Sequence, residues 1–385
     1  MDIEFNETQR QLKEMLKDFG EKEIAPYVEE YDQLEEFPVD IIKKATDLGL
    51  MGACIPEKYG GAGLDFLTYT LIIEWVSRYC QIVALALSAP GGMMGSGILL
   101  YGSEDQKQKY LLPLVKGEVF AGGGVTEPRS GSDVGGTETH CRKDGNSYIL
   151  NGVKAWISFL THAKWFITFA TMDKSKRHKG LCAFIVEADW PGVSRSRYKN
   201  KVGFRPLSTG DLVFEDVRVP QGNLIGEEGQ GFEVAMCAVE NGRLSVASRC
   251  NGVAQACLEE SIQYAKERIV FDNPIGRYQQ IQGMLVDMVI GIEASRYFTY
   301  RLAQLKDKGF RATREASMAK YFASETLMKS AADAMQIFGA YSCSSEYNIG
   351  RYWRDAKFFQ IIEGTNQIHR NLIAEYALGY RRERR

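Results

Sequence analysis

The sequence predicts a mostly α-helical protein with a small antiparallel β-domain in its middle. In the first and last thirds of the chain, apolar residues recur every three or four positions, which is the period of a helix with one buried face. In the middle third, short apolar runs are separated by turn residues, which is typical of strands. We therefore divide the 385 residues into a helical domain at 1–118, a β-domain at 119–226 and a helical bundle at 227–385.

The N-terminal domain is expected to begin with amphipathic helices. Asn6 and Gln9 lie three residues apart ahead of an apolar stripe, so they predict a capping box at the start of the first helix. The stretch PVDIIKKATDLGL repeats the pattern and predicts another helix. Its buried stripe is expected to contain Ile41, Ile42, Ala45 and Leu48.

Residues 79–103 carry no charge and are about long enough to span a bilayer. Gln81, Pro90 and five later glycines interrupt this stretch and leave no long apolar run. The pattern predicts two buried helices joined by a glycine-rich corner. The N-terminus also lacks a targeting signal, so we expect a soluble, cytoplasmic protein that does not bind membranes.

The middle third predicts short strands and tight turns. Asn151-Gly152 stands between two apolar runs and predicts the turn of a β-hairpin. KWFITFATMD and GLCAFIVEAD predict two more strands, separated by the charged turn KSKRHKG. GDLVFEDVRVP alternates as a strand does until Glu215 and Asp216, where the phase shifts, so we expect a β-bulge there.

The last third predicts a bundle of four long helices, because its amphipathic segments are long enough to pack against one another along their length. These segments are GVAQACLEESIQYAKERI, QIQGMLVDMVIGIEASRYFTYRLAQLKDKG, TREASMAKYFASETLMKSAADAMQIFGA and the stretch that follows Gly364.

Composition argues against several classes of function. Charged residues make up 25% of the chain and the formal net charge is −2, so nothing favours binding to nucleic acid or to an anionic membrane. The eight cysteines include no CxxC pair and the four histidines lie far apart, so no metal site is expected. Reduced thiols in a cytoplasmic protein are the simpler interpretation.

The loop VTEPRSGSDVGG, residues 125–136, combines small hydroxyl residues with glycines at the end of a strand. Exposed amides and hydroxyls in such a loop suit a phosphate or the edge of a heteroaromatic ring, although an ordinary polar loop has the same composition. Further along, Trp156 offers a flat stacking surface beside Ser158, although a core tryptophan gives the same pattern. No GxGxxG motif joins a strand to a helix, so a Rossmann site is not expected.

Near the C-terminus, IIEGTNQIHR places Glu363 between two isoleucines and a glycine. A carboxylate among apolar neighbours costs on the order of a few kcal/mol to keep charged, unless its pKa rises or something compensates. A base of raised pKa and a merely buried glutamate both fit this pattern.

Seven stretches occur in the order in which acyl-CoA dehydrogenases carry them, and the chain resembles that family from NETQRQL to its C-terminus. The stretches are TEPRSGSD, LNGVKAWIS, GDLVFEDVRVPQGNLIGEEGQGF, GRLSVASRCNGVAQAC, RIVFDNPIGRYQQIQ, AMQIFGAYSCSSEY and RDAKFFQIIEGTNQI. The resemblance implies an N-terminal helical domain, a β-barrel-like middle domain and a C-terminal four-helix bundle. It also implies one FAD per subunit and a homotetramer built as a dimer of dimers.

The resemblance implies which residues meet the flavin. Thr126 matches a threonine at the flavin pyrimidine edge, and Trp156 matches a tryptophan that flanks the isoalloxazine. Ser158 stands where a threonine commonly donates to flavin N5, and a serine keeps that donor. Ser132 matches a serine near both the flavin pyrophosphate and the CoA pantetheine.

A second set of residues is implied to contact the FAD of a neighbouring subunit. Asp272 in FDNPI replaces a usual glycine within this set, and FGAYS lacks the familiar double glycine, which puts the fine geometry there in question. The set consists of Arg268, Phe271, Gln279, Gln336 and Gly339.

For catalysis, the resemblance implies that Glu363 is the base that takes the substrate α-proton while a hydride leaves the β-carbon for flavin N5. Gly364 lets the backbone approach the substrate closely, and Thr365 and Gln367 are expected to face FAD. Some relatives place the base immediately before the arginine that corresponds to Arg243, but that position is Gly242 here. Arg243 is expected below the active site, and Glu240 replaces the aspartate that receives the CoA adenine.

The acyl group is expected to be short, compact and uncharged, branched or alicyclic, such as cyclohexanecarboxyl. Glutaryl-CoA dehydrogenases hold the distal carboxylate with an arginine where this chain has Ala84, and decarboxylating relatives carry tyrosine where it has Ile362. Small residues nearby leave lateral room, although they also let helices pack. They are Ser88, Ala89, Gly91, Gly92, Gly95 and Ser96.

Other activities on the same fold stay open from the sequence. A non-decarboxylating glutaryl-CoA-type dehydrogenase and an enoyl-CoA reductase working in the reverse direction share the active site, and a flavin monooxygenase tends to lack the glutamate that is present here. For the dehydrogenase, the resemblance implies an electron-transferring flavoprotein as the acceptor of electrons from the enzyme.

Overall fold

The computed structural model describes residues 5–382, so the first four residues of the stretch examined for a targeting signal lie outside the described part. Helices precede the sheet and follow it. The helices before the sheet are α1 (Glu7–Phe19), α2 (Val28–Leu34), α3 (Val39–Asp47), α4 (Phe66–Ser77), α5 (Gln81–Ser88), α6 (Ser96–Tyr101), α7 (Glu104–Gln106) and α8 (Leu112–Val115).

The start of α1 confirms the predicted capping box. The Gln9 backbone N–H donates to Asn6 Oδ1 at 2.8 Å, and the Asn6 N–H donates to Gln9 Oε1 at 3.1 Å. In α3 the predicted stripe is correct for its three buried members, but Leu48 is 49% exposed. The reason is that α3 ends at Asp47 and the chain turns away through Gly49, whose φ is +76°.

The uncharged stretch folds as predicted, with α5 and α6 separated by a turn that carries glycines. The glycine at position 95 is required by packing, because a Cβ there would lie 2.0 Å from the carbonyl oxygen of Pro90. Across residues 5–382, every helix is too short or too polar to cross a bilayer.

The middle of the chain forms an eight-stranded sheet in the order β6-β7-β3-β2-β4-β5-β8, with β1 beside β4. Most pairings are antiparallel as predicted, but β1 and β2 both run parallel to β4, because neither is joined to β4 by a hairpin. The strands are β1 (Phe120–Gly124), β2 (His140–Asp144), β3 (Ser147–Ser158), β4 (Ala163–Thr171), β5 (Leu181–Glu187), β6 (Val193–Arg197), β7 (Thr209–Pro220) and β8 (Leu224–Ile225).

The predicted hairpin turn at Asn151-Gly152 is wrong. β3 runs straight through these residues, and the β2–β3 hairpin turns at Gly145-Asn146, since Asp144 pairs with Ser147. The Asp144-Gly145 dipeptide is an equally strong turn signal, and it lies at the two-residue connection between β2 and β3. Gly152 has a different role: a Cβ there would lie 2.6 Å from the Cα of Thr139.

The predicted bulge in β7 is confirmed. Leu150 pairs with Val217 and Gly152 pairs with Phe214, so three steps along β7 face two along β3. The extra residue lies at Glu215-Asp216, and Asp216 has a φ of +49°.

The C-terminal third consists of long helices around α9, which also contacts α4, α5 and β5. A helix of eleven residues, α12, precedes the fourth predicted helix and was not foreseen. A two-stranded hairpin, β9 (Ile269–Val270) with β10 (Asn273–Pro274), leads into α10. The helices are α9 (Gly231–Glu267), α10 (Gln279–Asp307), α11 (Thr313–Phe338), α12 (Ile349–Phe359) and α13 (Asn366–Ala377).

Candidate active site

Glu363 lies in the short turn between α12 and α13. Its φ is +54° and that of Gly364 is +91°, so two successive residues adopt left-handed backbone conformations. Such a conformation costs a non-glycine residue about 1 kcal/mol or more and persists only where neighbouring contacts hold it. Thr365 then caps α13, because its hydroxyl accepts from the Ile368 N–H at 3.3 Å. Because the resemblance predicts Glu363 to be the base, we call Glu363 and Gly364 the catalytic turn.

The carboxylate of Glu363 lies against α9 at Gly242. A Cβ on Gly242 would come within 2.7 Å of the Glu363 Cδ atom, so only glycine leaves room for the carboxylate there. Oε2 of Glu363 is buried and has no hydrogen-bond partner within residues 5–382. Positions 242 and 363, where the resemblance allows a base, therefore face each other, and only position 363 carries a carboxylate.

The surroundings raise the proton affinity of this carboxylate. Burial raises the pKa of Glu363 to about 7, although the cations Arg243, Arg249 and Lys320 act in the opposite direction. Desolvation therefore outweighs three positive charges. A carboxyl group of this pKa is half ionised near neutral pH, which suits a general base.

Three side chains hold the carbonyl groups of the catalytic turn. The Glu363 carbonyl accepts from Arg243 Nε at 3.3 Å and from His369 Nε2 at 3.2 Å. The Gly364 carbonyl accepts from Lys320 Nζ at 2.8 Å. By contrast, the backbone N–H of Glu363 makes no hydrogen bond in the described part of the chain.

The glycine-rich corner after α5 connects this turn with the sheet. A Cβ on Gly92 would lie 4.0 Å from the Cα of Gly242, and a Cβ on Gly123 in β1 would lie 3.8 Å from Met93 Cγ. Residues 92 and 93 therefore lie between the end of β1 and the helix that faces the Glu363 carboxylate.

The loop after β1 and the end of β3 are brought together as the sequence predicted. The Ala155 N–H donates to the Thr126 carbonyl at 2.9 Å, which places Thr126 beside Trp156. Trp156 is 55% exposed, has a φ of +60° and contacts Tyr198 with its ring edge. The core alternative for this tryptophan is thus wrong, and its exposed face is available for stacking.

A buried ion pair fixes this loop to β3. Lys154 Nζ donates to Glu127 Oε1 at 2.7 Å, and both side chains are almost fully buried. Glu127 also accepts from the N–H groups of Glu138 and Thr139, so one carboxylate joins both ends of the loop. Ser132, at the tip of the same loop, is exposed.

A second cluster lies at the surface near the β9–β10 hairpin. Phe271 is 86% exposed at the hairpin tip with a φ of +50°, and the Arg268 guanidinium lies 5.5 Å from the centre of the Tyr341 ring. All the residues assigned by resemblance to a neighbouring subunit's FAD are exposed here. We call this set the outer edge: Arg268, Phe271, Gln279, Gln336 and Gly339.

The two departures from the family pattern at the outer edge carry little backbone strain. Asp272 has a φ of +60°, a region that aspartate tolerates better than most residues. Gly339 has φ +60° and ψ −136°, which essentially only glycine adopts, whereas Ala340 has no positive φ. The missing second glycine therefore leaves the backbone unstrained.

The Glu240 carboxylate, predicted to receive the CoA adenine, already has partners within the chain. It is buried, its Oε2 accepts from the Thr313 hydroxyl at 3.0 Å, and Arg311 Nε lies 3.6 Å away. Its neighbour one helical turn along, Arg243, faces the catalytic turn. The two residues therefore line one side of α9, between Glu363 and the start of α11.

Comparisons with known proteins agree with this architecture. Models of the N-terminal, middle and C-terminal domains of acyl-CoA dehydrogenases match residues 6–118, 122–217 and 229–378. The short-chain specific acyl-CoA dehydrogenase of Rattus norvegicus mitochondria is 39% identical over 98% of this chain and 91% of its own length. The chain belongs to the acyl-CoA dehydrogenase family.

Other members of the acyl-CoA dehydrogenase family differ in what they act on. A 3-(aryl)acrylate reductase of Clostridium sporogenes is 38% identical over 97% of this chain and 99% of its own. A glutaryl-CoA dehydrogenase solved with glutaryl-CoA superposes with a TM-score of 0.96 at 35% identity, over 100% of this chain and 98% of the other. PigA, solved with FAD and proline, superposes with a TM-score of 0.93 at 27% identity, over 98% and 99% of the two chains.

The cofactor of this acyl-CoA dehydrogenase is FAD. The residues present fit this cofactor. Trp156 presents an open aromatic face beside the Thr126 loop, as stacking of a flavin ring requires. In addition, the buried Oε2 of Glu363 has no hydrogen-bond partner in the part of the chain that the structure describes, so this atom is available to a bound substrate.

Sequence reasoning missed five residues of the site. Lys320, His369 and Arg249 surround Glu363, and the Glu127–Lys154 pair holds the loop at residues 125–136 to β3. The sequence offered only one signal for them: Lys320 interrupts the apolar stripe of α11, where a charge needs a specific partner. Arg249 gives no signal, since its environment depends on α5 and α12.

Proposed function

We propose that Glu363 is the catalytic base of this acyl-CoA dehydrogenase and removes the α-proton of the thioester. The observation that carries the proposal is the buried, unpartnered Oε2 of a carboxyl group whose pKa burial raises to about 7. An α-proton of a thioester is weakly acidic, so the base must bind protons more strongly than an ordinary glutamate. FAD supplies the acceptor for the hydride that leaves the β-carbon.

The same turn offers a donor for the thioester oxygen. Proton removal at the α-carbon places negative charge on that oxygen, and a backbone N–H aimed at it stabilises the transition state. The free N–H of Glu363 is suited to this role, because the left-handed turn frees it from the helical hydrogen-bond pattern. Gly364 keeps the backbone bare where the substrate approaches.

Cofactor binding is assigned to two groups of residues. Thr126, Trp156 and Ser158 meet the flavin ring, and Ser132 meets the pyrophosphate and the CoA pantetheine. Thr365 and Gln367 face the cofactor from the start of α13. The outer edge contacts the FAD of a neighbouring subunit in a homotetramer, which accounts for its exposure in a single chain.

The CoA part of the substrate is assigned to Arg243, below the active site, and Glu240, which takes the adenine. Both lie on α9, Arg243 six residues and Glu240 nine residues before Arg249. Arg243 faces the catalytic turn, and Glu240 faces the start of α11. Glu240 must exchange its bond to Thr313 in order to accept from the adenine, so its assignment depends on a side-chain rearrangement.

For the acyl group, we propose a short, compact and uncharged chain, branched or alicyclic. Ala84 in α5 is buried, where glutaryl-CoA dehydrogenases are expected to hold an arginine. Gly92 lies across from Gly242 and leaves room beside the base. Packing alone accounts for Gly91 and Gly95, because a Cβ on either would collide with Cys54 Sγ or with the Pro90 carbonyl.

A second candidate, a glutaryl-CoA-type dehydrogenase, is favoured by Arg249. This arginine is buried, donates to Gln81 Oε1 at 3.2 Å, and leaves its Nε without a partner among the described residues. Gln81 lies one helical turn before Ala84, so Arg249 brings a cation to that region from α9. A buried cation with an unpaired donor is suited to an anionic partner.

The physiological electron acceptor is proposed to be an electron-transferring flavoprotein. The reverse reaction, reduction of an enoyl-CoA, uses the same base as an acid. We retain this direction as an alternative, because a relative from Clostridium sporogenes is a reductase.

A substrate panel under anaerobic conditions tests these assignments. Butyryl-, isobutyryl-, isovaleryl-, cyclohexanecarboxyl-, octanoyl- and glutaryl-CoA are mixed with the FAD-loaded protein, and bleaching of the flavin band is followed by stopped flow. We expect the fastest reduction with a branched or cyclohexanecarboxyl thioester. Fastest reduction with octanoyl-CoA would contradict the compact pocket. Fastest reduction with glutaryl-CoA, lost in Arg249→Met, would establish the second candidate instead.

A further inference from the structure

Lys320 is buried in α11 and is bound to the second carbonyl of the catalytic turn and to the start of α13. Its Nζ donates to the Gly364 carbonyl at 2.8 Å and to Asn366 Oδ1 at 2.8 Å, where Asn366 is the first residue of α13. Asn366 in turn donates to the Ser324 hydroxyl at 2.9 Å and to Glu325 Oε1 at 2.5 Å. One face of α11 therefore holds the start of α13 through a closed hydrogen-bond network.

The position of Lys320 matters because the turn it holds is strained. Glu363 keeps a left-handed φ only while its contacts fix the backbone on both sides. Arg243 and His369 hold the first carbonyl of the turn, and Lys320 is the side chain that holds the second. Releasing the Gly364 carbonyl would leave the turn attached at one end.

We propose that Lys320 is a positioning residue for the base: its ammonium group fixes the Gly364 carbonyl and thereby the direction of the Glu363 carboxylate and N–H. The proposal rests on the assignment of Glu363 as the base. This role of Lys320 requires no contact with the substrate or the flavin, since the hydrogen bonds of Lys320 among the described residues all go to the turn and to α13.

The charge of Lys320 adds a second, measurable consequence. The groups that bear on the turn are Arg243, Arg249 and Cys250 from α9, Lys320 and Glu325 from α11, and His369 from α13. Lys320 lowers the pKa of Glu363, and desolvation lowers the pKa of Lys320 itself to about 7. Burial lowers the pKa of His369 to about 3, so this side chain is neutral at neutral pH.

Removing the cation should therefore raise the pKa of Glu363 further. Lys320→Met keeps the length of the side chain and removes both charge and donor. We expect the acid limb of the pH profile for flavin reduction to move up by about one pH unit. The limiting rate should fall by about tenfold or more, because misplacement of a reacting group is costly, while KM changes little.

Further variants separate charge from geometry. Lys320→Arg keeps the cation and a donor and should restore most of the rate and the normal acid limb. Lys320→Gln keeps a donor without the charge, so its acid limb should shift as in Lys320→Met even if the latter folds poorly. Lys201→Met is the matched control, because Lys201 is a buried lysine that donates to the Leu207 carbonyl at 2.8 Å and, among the described residues, makes no hydrogen bond to the catalytic turn.

An infrared pH titration gives a readout that does not depend on turnover. The carboxylic C=O band that disappears in Glu363→Gln reports the ionisation of Glu363 directly, and it should titrate at higher pH in Lys320→Met and Lys320→Gln than in the wild type. If Lys320→Met only lowers thermal stability, as Lys201→Met does, and leaves both the acid limb and the band unchanged, the proposal is wrong. If Glu363→Gln still reduces the flavin at a normal rate, the base assignment fails instead, and the infrared shift alone decides the role of Lys320.

Discussion

The catalytic turn and the outer edge differ in how completely one chain builds them. The turn is closed within the chain: three side chains hold its two carbonyls, and its carboxylate lies against Gly242. The outer edge is open, with Phe271 86% exposed and Arg268 resting on Tyr341. The contacts that fix the buried turn all lie within one chain, whereas the exposed residues of the outer edge need a partner molecule to fix them.

This difference predicts different responses to substitution. Changes at the turn should alter the chemical step and leave cofactor affinity intact. Changes at the outer edge should alter cofactor retention and depend on assembly of the protein. Four variants test this contrast.

The largest effect is expected for Glu363→Gln. This variant should fold and bind FAD, because the carboxylate makes no hydrogen bond among the described residues. Its rate of flavin reduction by acyl-CoA should fall by about 10² to 10⁴-fold, the usual contribution of a general base. Anaerobic stopped flow measures the rate, and the visible spectrum measures bound FAD. Near-normal bleaching of the flavin would exclude Glu363 as the base.

A substitution on the opposite wall should act through the same carboxylate. In Gly242→Ala, the new Cβ would lie 2.7 Å from the Glu363 Cδ atom and displace the base. A misplacement of about 1 Å can cost about 10²-fold in rate, so we expect a loss of that order. Gly222→Ala, where a Cβ meets nothing within 4 Å, is the matched control and should keep full activity. Equal rates in the two variants would contradict the close approach.

Acid should weaken the turn through His369. Burial lowers the pKa of His369 to about 3 from an ordinary 6.5, so the unfolded chain binds the proton more readily. The stabilisation is complete above pH 6.5 and is lost as the pH falls toward 3, at about 1.4 kcal/mol per pH unit.

His369→Gln isolates this contribution, because glutamine keeps a donor for the Glu363 carbonyl and does not titrate. Between pH 6.5 and 5, the free energy of unfolding of the wild type should fall by about 2 kcal/mol more than that of the variant. Parallel pH dependence of the two proteins in denaturant titrations would mean that His369 is not held neutral.

The smallest effect is expected at the outer edge. Arg268→Ala should weaken FAD binding by about tenfold, the worth of one hydrogen bond to a charged group, without changing the rate of flavin reduction at saturating FAD. Arg218→Ala removes another exposed arginine, which pairs with Asp144, and serves as control. The loss should appear together with a tetramer in analytical ultracentrifugation. Unchanged affinity, or a stable monomer that retains FAD, would remove the outer edge from the cofactor site.

The sequence predicted the fold class because periodicity is a local property. The capping box at Asn6, the bulge at Asp216 and the glycine-rich corner after α5 were all readable from neighbouring residues. The hairpin at Asn151 was misplaced because two turn signals stood close together, and only strand pairing decides between them. The parallel β1–β4 pair was not predicted, because it joins residues about forty positions apart and no local sequence pattern indicates such a pairing.

The residues of the site also divide into those that the sequence predicted and those that it missed. Glu363 was predicted as a site residue because its carboxylate stands among apolar neighbours in the sequence, and Trp156 because a flavin partner was implied by resemblance. Lys320, Arg249 and His369 were missed because each acts on Glu363 from a different helix. Their role depends on how α9, α11 and α13 pack, and that packing is a tertiary property.

Exchange of the α-protons of 3,3-dimethylbutyryl-CoA in D₂O tests the central claim most directly. This thioester has α-protons and no hydrogen on its β-carbon, so proton removal can be followed without hydride loss. If Glu363 is the base, the FAD-loaded wild type should catalyse deuterium uptake at the α-carbon, as seen by mass spectrometry, and Glu363→Gln should not exceed the uncatalysed rate. Equal deuterium uptake by the two proteins would show that another group removes the proton.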